Sequence, residues 1–217
     1  AGNPLTRQLW IYTLDPSLSD RHGGMTKVEV PWEKLEAGPK GVLFDIDGTG
    51  APPDLSHHGP LDLDDPRLLV TNGLSPSPSN AQFHLQMAYA VCSLTYAAFR
   101  RALGRDLGWA FPPGPDGETR LRVRPFALKQ PNAGYLRETQ DLSFGYFRAG
   151  RHPAGFTIPG GLVFTALSHD VIAHETTHAL LDGLRANFHD PTNVDVLAFH
   201  EGFADLVALF LHFTYPG

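Results

Sequence analysis

The sequence predicts an α+β protein in which a β-rich N-terminal part is followed by helices. Short candidate strands and turn residues dominate residues 1–79, whereas apolar side chains recur at helical spacing over residues 81–103. Two further segments with helical character lie between residues 168 and 210. Strands that precede helices, rather than alternate with them, favour α+β over α/β. A chain of 217 residues is long enough for one domain with a substantial core, or for one domain plus a small lobe.

The N-terminal portion, residues 1–79, is turn-rich, and we expect it to pack on the same domain as the rest of the chain. Residues 8–14 are predicted as a strand, and shorter candidate strands follow at residues 27–30 and 42–46. Proline, glycine, serine and aspartate are frequent between these strands, which is typical of irregular structure.

The second portion, residues 80–217, begins with the predicted long helix over residues 81–103. A strand is predicted at residues 121–128, and an edge strand at residues 132–135 has a hairpin partner near residues 142–147. We expect the two helices that carry the candidate site to follow these strands.

The first of those two helices contains a five-residue segment that reads H-E-T-T-H, which has the form H-E-x-x-H. Residues four apart lie on the same face of a helix, so His174 and His178 can bind one metal ion with Glu175 beside it. We expect Ser168 to cap this helix and Gly183 to end it.

The second helix is predicted over residues 194–210 and is apolar on nearly every side, so we expect it to be buried. It carries Glu201 and Asp205 one turn apart on one face. Buried carboxylates are costly unless they are paired or bind a metal ion. Burial of both carboxylates is compensated if Glu201 is a metal ligand and Asp205 accepts a hydrogen bond from a ligand imidazole.

Two histidines and one glutamate leave a fourth coordination position open for water, which is the ligand arrangement of a catalytic zinc site. The residues therefore predict a zinc-dependent hydrolase, and a peptidase in particular. Three neighbouring candidates are interpreted as ordinary residues. They are His200, Asp170 and His212. His200 points about 100° away from the glutamate ligand around the helix.

Several segments resemble the thermolysin-like gluzincin zinc metallopeptidases, whose third zinc ligand is a glutamate on a following helix. Residues 170–175 read D-V-I-A-H-E and are similar to that family's run into its zinc helix. Residues 132–135 read N-A-G-Y and resemble the family's edge strand, which pairs with the substrate backbone, and residues 144–146 resemble the segment that follows it. The likeness covers about residues 80–210, and residues 1–79 do not share it.

The resemblance implies a zincin-like, thermolysin-like fold in which residues 80–217 form the metallopeptidase catalytic core, without the family's C-terminal helical lobe. It implies hydrolysis of peptide or protein substrates through a metal-bound water, with one catalytic Zn²⁺ as the cofactor. Calcium is not expected, because the family's calcium cluster draws on acids after the second helix. The roles that the resemblance implies are zinc ligation by His174, His178 and Glu201, general-base catalysis by Glu175, orientation of His174 by Asp205, and binding of substrate main chain at Asn132 and Ala133.

Two alternatives to an active peptidase remain open at the level of sequence. The first is a zinc-binding gluzincin-like domain that is catalytically weak or inactive and needs a partner chain or the missing C-terminal lobe. The second is a haloacid-dehalogenase-type phosphatase, because residues 42–49 read V-L-F-D-I-D-G-T, like the nucleophile motif of that class. Such folds need a helix directly after this strand, whereas G-A-P-P follows here, so a strand that ends in an Asp-Gly turn is the better interpretation.

Composition restricts the partners. The formal net charge is −6, which argues against general nucleic-acid binding. No apolar run approaches the length needed to cross a bilayer, so no membrane partner is expected. Cys92 is the one cysteine, which excludes an internal disulfide. The single cysteine and the lack of an evident signal peptide favour a cytoplasmic over a secreted protein but leave the compartment open.

Overall fold

A computed structural model describes residues 4–18, 24–153, 155–185, 190 and 192–215. It has mixed α+β structure, with a β-rich N-terminal part and helices at the C-terminal end, as the sequence predicts. The elements in chain order are β1 Thr6–Tyr12, β2 Met25–Pro31, β3 Phe44–Ile46, α1 Pro66–Thr71, α2 Ala81–Leu103, β4 Leu121–Leu128, β5 Ala133–Leu136, β6 Asp141–Arg148, β7 Leu162–Phe164, a 3₁₀ turn Thr165–Leu167, α3 His169–Leu184 and α4 Val194–His212.

The strands of the described residues form two sheets. Strands β1 and β2 pair antiparallel in a two-stranded ribbon. The second sheet is mixed and has the order β3-β4-β6-β5, with β7 paired to the far end of β6. In this sheet β4 runs parallel to β3 and β6, whereas β5 and β7 run antiparallel to β6. Strand β5 therefore lies at an edge of the sheet, where its outer backbone groups are available for other contacts.

Helix α2 lies at the centre of the molecule, and its bounds agree with the prediction. The Asn80 side chain accepts a hydrogen bond from the Gln82 N–H at 3.0 Å, and Gly104 ends the helix at a φ of 66°. The helix contacts both sheets and α3, so most of its residues are buried. Its buried side chains, including Phe83 and Tyr89, join side chains from both portions of the chain in one apolar core.

Two short elements are not predicted from the sequence. Helix α1 begins after Asp65, whose carboxylate accepts a hydrogen bond from the Arg67 N–H at 2.9 Å, and it has a proline in its first turn. Strand β7 has three residues and forms through long-range pairing with β6. Elements this short carry no periodic signal, so only tertiary contacts reveal them.

The segment that resembles a phosphatase motif forms β3 and the turn after it. Strand β3 is at the other edge of the mixed sheet, and residues 47–65 contain no regular helix. Asp45 Oδ2 lies 3.6 Å from Lys40 Nζ, and Asp47 forms an ion pair with Arg122. The turn falls at Thr49 and Gly50 rather than at the Asp-Gly pair, because Gly50 adopts a φ of 89°.

The prediction that α4, the second helix of the candidate site, is buried is wrong. In α4 only His200, Ala204, Ala208 and Leu211 are buried. Val194 is 77% exposed, and several other large apolar side chains of α4 are also exposed. The helix packs on α3, and its Phe203 also contacts Phe99 of α2, whereas its outward apolar side chains are exposed. No helix in the described ranges is both long and apolar enough to cross a membrane.

Candidate metal centre

Helices α3 and α4 run antiparallel and place polar side chains opposite one another along their contact. The pairs in contact are Asp170 with His212, His174 with Asp205, and His178 with Glu201. Each step of four residues along α3 is matched by a step backwards along α4, first of seven and then of four residues, as expected for adjacent antiparallel helices. The seam between the two helices is therefore polar where it reaches the surface and apolar toward α2.

Three candidate zinc ligands converge in the middle of this seam. His174 Nε2 lies 3.0 Å from His178 Nε2 and 3.2 Å from Glu201 Oε2, and His178 Nε2 lies 3.6 Å from Glu201 Oε1. Ligands that bind zinc at about 2.0–2.1 Å in tetrahedral geometry are about 3.3 Å apart. The triangle of donor atoms therefore fits a single zinc ion.

The Glu201 and Asp205 carboxylates are exposed rather than buried, with 64% and 75% of their side chains accessible. The expectation that burial forces them to bind a metal is therefore wrong, because solvent reaches both groups. Their position is explained by the helix contact instead, since one turn of α4 places both carboxylates over the His174 imidazole.

The second nitrogen of each ligand imidazole also has a polar neighbour. Asp205 Oδ1 lies 2.9 Å from His174 Nδ1, and His200 Nδ1 lies 3.4 Å from His178 Nδ1. When each Nδ1 carries the ring proton, each Nε2 presents its lone pair to the metal position. His200 is buried and stacks on His178, although the sequence interpretation set it aside as an ordinary residue. Its position one residue before Glu201 was the only sequence signal, and helical geometry argued against it.

Glu175 lies beside the donor triangle, on α3, and faces the edge strand β5. Its Oε2 accepts a hydrogen bond from the Tyr135 N–H at 3.1 Å. Burial raises the pKa of the Glu175 carboxyl above its usual range, and the charge of Glu201 adds to the increase. The His174 imidazole and the Tyr135 N–H oppose it. A carboxyl with a raised pKa is suited to accept and return a proton near neutral pH.

A buried hydrogen bond holds β5 against α3. The Tyr135 hydroxyl donates to Asp182 Oδ2 at 2.8 Å, and Arg137 Nε lies 3.4 Å from the same oxygen. Asp182 is seven residues after Glu175, on the same face of α3, so the two carboxylates contact the same strand. The sequence analysis missed Tyr135 and Asp182, although their spacing from Ala133 and Glu175 is a usable signal.

The two residues implied to bind substrate main chain lie at the start of β5. Asn132 is exposed just before the strand, and Ala133 is its first residue and is half-buried. Because the Tyr135 N–H points away from β6, the backbone groups of Ala133 point to that outer side as well. The structure therefore places an open strand edge next to Glu175.

A cleft of about 640 Å³ runs along the seam and includes His174 and Glu175. Asp170, His212 and Asp205 line its other parts. Its size is that of a small-molecule or peptide-side-chain site rather than a single-water cavity.

The start and end of α3 differ from the prediction. Ser168 occupies the N-cap position, but its side chain forms no capping hydrogen bond. Gly183 does not end the helix, which continues to Leu184. A Cβ at Gly183 would lie 2.1 Å from the Gly108 carbonyl oxygen. This glycine therefore permits a close approach between α3 and the loop after α2.

Among the described residues, two groups have three donor atoms of metal-ligand type within 4.8 Å of one another. One is the triangle of His174, His178 and Glu201, and the other consists of His169, Asp170 and His212. Asp170 and His212, which the sequence interpretation treated as ordinary residues, therefore belong to a group that could hold a metal ion. Neither family models nor curated protein sequences match this chain, so its function is inferred from these site residues.

Proposed function

We propose that this chain is the catalytic core of a zinc-dependent metallopeptidase of the gluzincin type. One observation carries the proposal: a triangle of His174, His178 and Glu201 donor atoms of zinc-binding size has the Glu175 carboxylate beside it. A zincin-like fold is proposed with it, because α3 carries the H-E-x-x-H motif under an edge strand and α4 supplies the glutamate.

The donor set fits zinc by its chemistry as well as its size. Two imidazoles and one carboxylate suit zinc, and three protein ligands leave a position open. When bound, zinc supplies Lewis-acid polarisation of a water and of a substrate carbonyl. The Asp205 carboxylate and the His200 ring hold the ligand imidazoles in the required tautomer.

Glu175 acts as the general base. Its Oε2 is held by the Tyr135 N–H, which leaves Oε1 to take a proton from the attacking water. The same proton can then be delivered to the leaving amine, because the raised pKa favours a carboxyl that changes its protonation state during turnover. The buried contact of Tyr135 with Asp182 holds β5 against α3 and so fixes the position of the Glu175 carboxylate relative to the strand.

The substrate is an extended peptide that adds to the outer edge of β5. Ala133 presents its backbone groups on that side, whereas the Tyr135 N–H is already bound to Glu175, and strand addition supplies main-chain hydrogen bonds without selecting a sequence. A peptide in this position passes directly over Glu175 and the donor triangle.

The test compares zinc content and peptide cleavage in the wild type and Glu175→Gln. Both proteins should retain about one zinc ion in the His174 site, and the variant should lose cleavage of a quenched-fluorescence peptide library by about 10²–10⁴-fold. Glu118→Gln, in an exposed loop, is the matched control and should cleave like the wild type. Equal cleavage by the wild type and Glu175→Gln overturns the proposal. A wild type that binds zinc but cleaves nothing favours the inactive zinc-binding domain instead.

A further inference from the structure

The second cluster of metal-ligand residues lies at the end of the helix pair that is away from Glu201. His169 is the first residue of α3, and His212 is the last residue of α4. Asp170 lies between them, with Oδ1 3.1 Å from His169 Nδ1 and 3.4 Å from His212 Nδ1. One carboxylate oxygen therefore faces two imidazole nitrogens from two different helices.

One ring nitrogen of this cluster has a charged neighbour but no hydrogen bond among the described residues. His212 Nδ1 is buried and forms no hydrogen bond with any described residue, although it lies near Asp170 Oδ1. A buried ring nitrogen without a partner is unfavourable. A cation between the two rings and the carboxylate gives a partner to His212 and satisfies all three residues together.

The ring nitrogen of His169 that faces away from Asp170 has a polar neighbour, as the second nitrogen of a metal-binding histidine usually does. His169 Nε2 lies 2.6 Å from the Tyr215 hydroxyl. When the His169 N–H donates to the Tyr215 oxygen, Nδ1 presents its lone pair to Asp170 and His212. Ligand histidines usually donate their second N–H in this way.

The chemistry of the donors selects the class of metal ion. Two imidazole nitrogens with one carboxylate oxygen suit Zn²⁺ and neighbouring transition metals, whereas Ca²⁺ and Mg²⁺ prefer oxygen ligands throughout. His169 is buried, but the Asp170 side chain is 61% exposed and lines the cleft together with His212. An ion can therefore reach the cluster from the cleft, and water can complete its coordination.

We propose that His169, Asp170 and His212 form a second site for a divalent transition-metal ion, separate from the His174 site. This ion ties the beginning of α3 to the end of α4. Because the two helices carry ligands from both sites, the second ion limits sliding of α4 along α3 and so keeps Glu201 opposite His174 and His178. Its ligand set is independent of the proposed catalytic activity.

The test measures zinc per chain by elemental mass spectrometry, after chelator treatment and equilibrium dialysis against buffered Zn²⁺. The wild type should bind about two zinc ions, and a His174→Gln/His178→Gln double variant should keep about one. Asp170→Asn and His212→Gln should weaken the remaining site by at least about tenfold. His58→Gln removes an exposed histidine outside both clusters and should change nothing.

The double variant leaves the second cluster intact, so it tests the proposal even when a substitution at His212 impairs folding. Circular dichroism establishes that this variant is folded. A folded double variant that binds no zinc overturns the proposal, as does a wild type that saturates at about one zinc ion. Added Ca²⁺ or Mg²⁺ should not displace the zinc, and displacement would also contradict the assignment.

Discussion

Asp205 Oδ1 lies 2.9 Å from Nδ1 of His174, a contact that joins α4 to the first histidine of the H-E-x-x-H motif. The imidazole N–H donates to this carboxylate, and its Nε2 is thereby presented to Glu201 and His178. This contact fixes both the ring orientation and the tautomer, which are the two conditions for a histidine ligand.

Replacing Asp205 should therefore weaken zinc binding without removing a ligand. We expect Asp205→Ala to lower zinc affinity at the His174 site by about 10–100-fold, and Asp205→Asn to lower it less, because its amide oxygen still accepts the hydrogen bond. Zinc affinity is measured by competition with a chromophoric chelator. Equal affinity in the wild type and Asp205→Ala would show that the contact does not orient His174.

Glu201 is the residue that distinguishes the gluzincin assignment from other H-E-x-x-H arrangements. We expect Glu201→Ala to lower zinc affinity more than Asp205→Ala does, because a ligand is lost rather than its neighbour. Asp195→Ala removes an acid from the first turn of the same helix and serves as the control. Unchanged zinc retention in Glu201→Ala would rule out glutamate as the third ligand.

The Tyr135 hydroxyl is predicted to stabilise both the fold and the position of the general base. Tyr135→Phe leaves the buried Asp182 carboxylate without its 2.8 Å donor, so we expect a loss of about 2 kcal/mol in the free energy of unfolding. Cleavage should fall while zinc content stays the same, because β5 is displaced relative to Glu175. Urea unfolding and peptide cleavage provide the two measurements.

Tyr146→Phe is the matched control for this prediction. Among the described residues its hydroxyl reaches only the Gly50 carbonyl oxygen, at 3.4 Å and in contact with solvent. The same deletion should therefore have little effect on stability or cleavage. If Tyr135→Phe behaves like Tyr146→Phe, the buried contact with Asp182 contributes nothing measurable.

His84 should make the stability of the protein dependent on pH. It is fully buried on α2, and burial lowers its pKa from 6.5 to about 4, although a hydrogen bond with the Pro78 carbonyl opposes the shift. The unfolded chain therefore takes up a proton here below pH 6.5, whereas the folded chain does so only near pH 4. The stabilisation present above pH 6.5 is lost as the pH falls through this window, by about 3 kcal/mol.

The measurement compares urea unfolding of the wild type and His84→Leu at pH 7 and pH 4. A chelator in both samples removes the contribution of metal binding. The free energy of unfolding should fall more steeply with decreasing pH in the wild type than in the variant. The same pH dependence in both proteins would mean that His84 is protonated at the same pH in the folded and unfolded states.

The sequence by itself determined the features that depend on local periodicity. The helical spacing over residues 81–103 predicted the bounds of α2, which the structure confirms. The placement of His174 and His178 on one face follows from their separation by one helical turn. The order of strands before helices likewise predicted the α+β class, although not the pairing of the strands.

Only the tertiary structure decided which distant residues meet. Tyr135 and Glu175 lie 40 positions apart, and His169 and Tyr215 lie 46 positions apart. The exposure of α4 could not be predicted from the sequence either. The apolar composition of a helix shows how much surface it can bury, but not which other elements are present to cover it. Such contacts depend on the packing of whole elements, for which a single sequence carries no periodic signal.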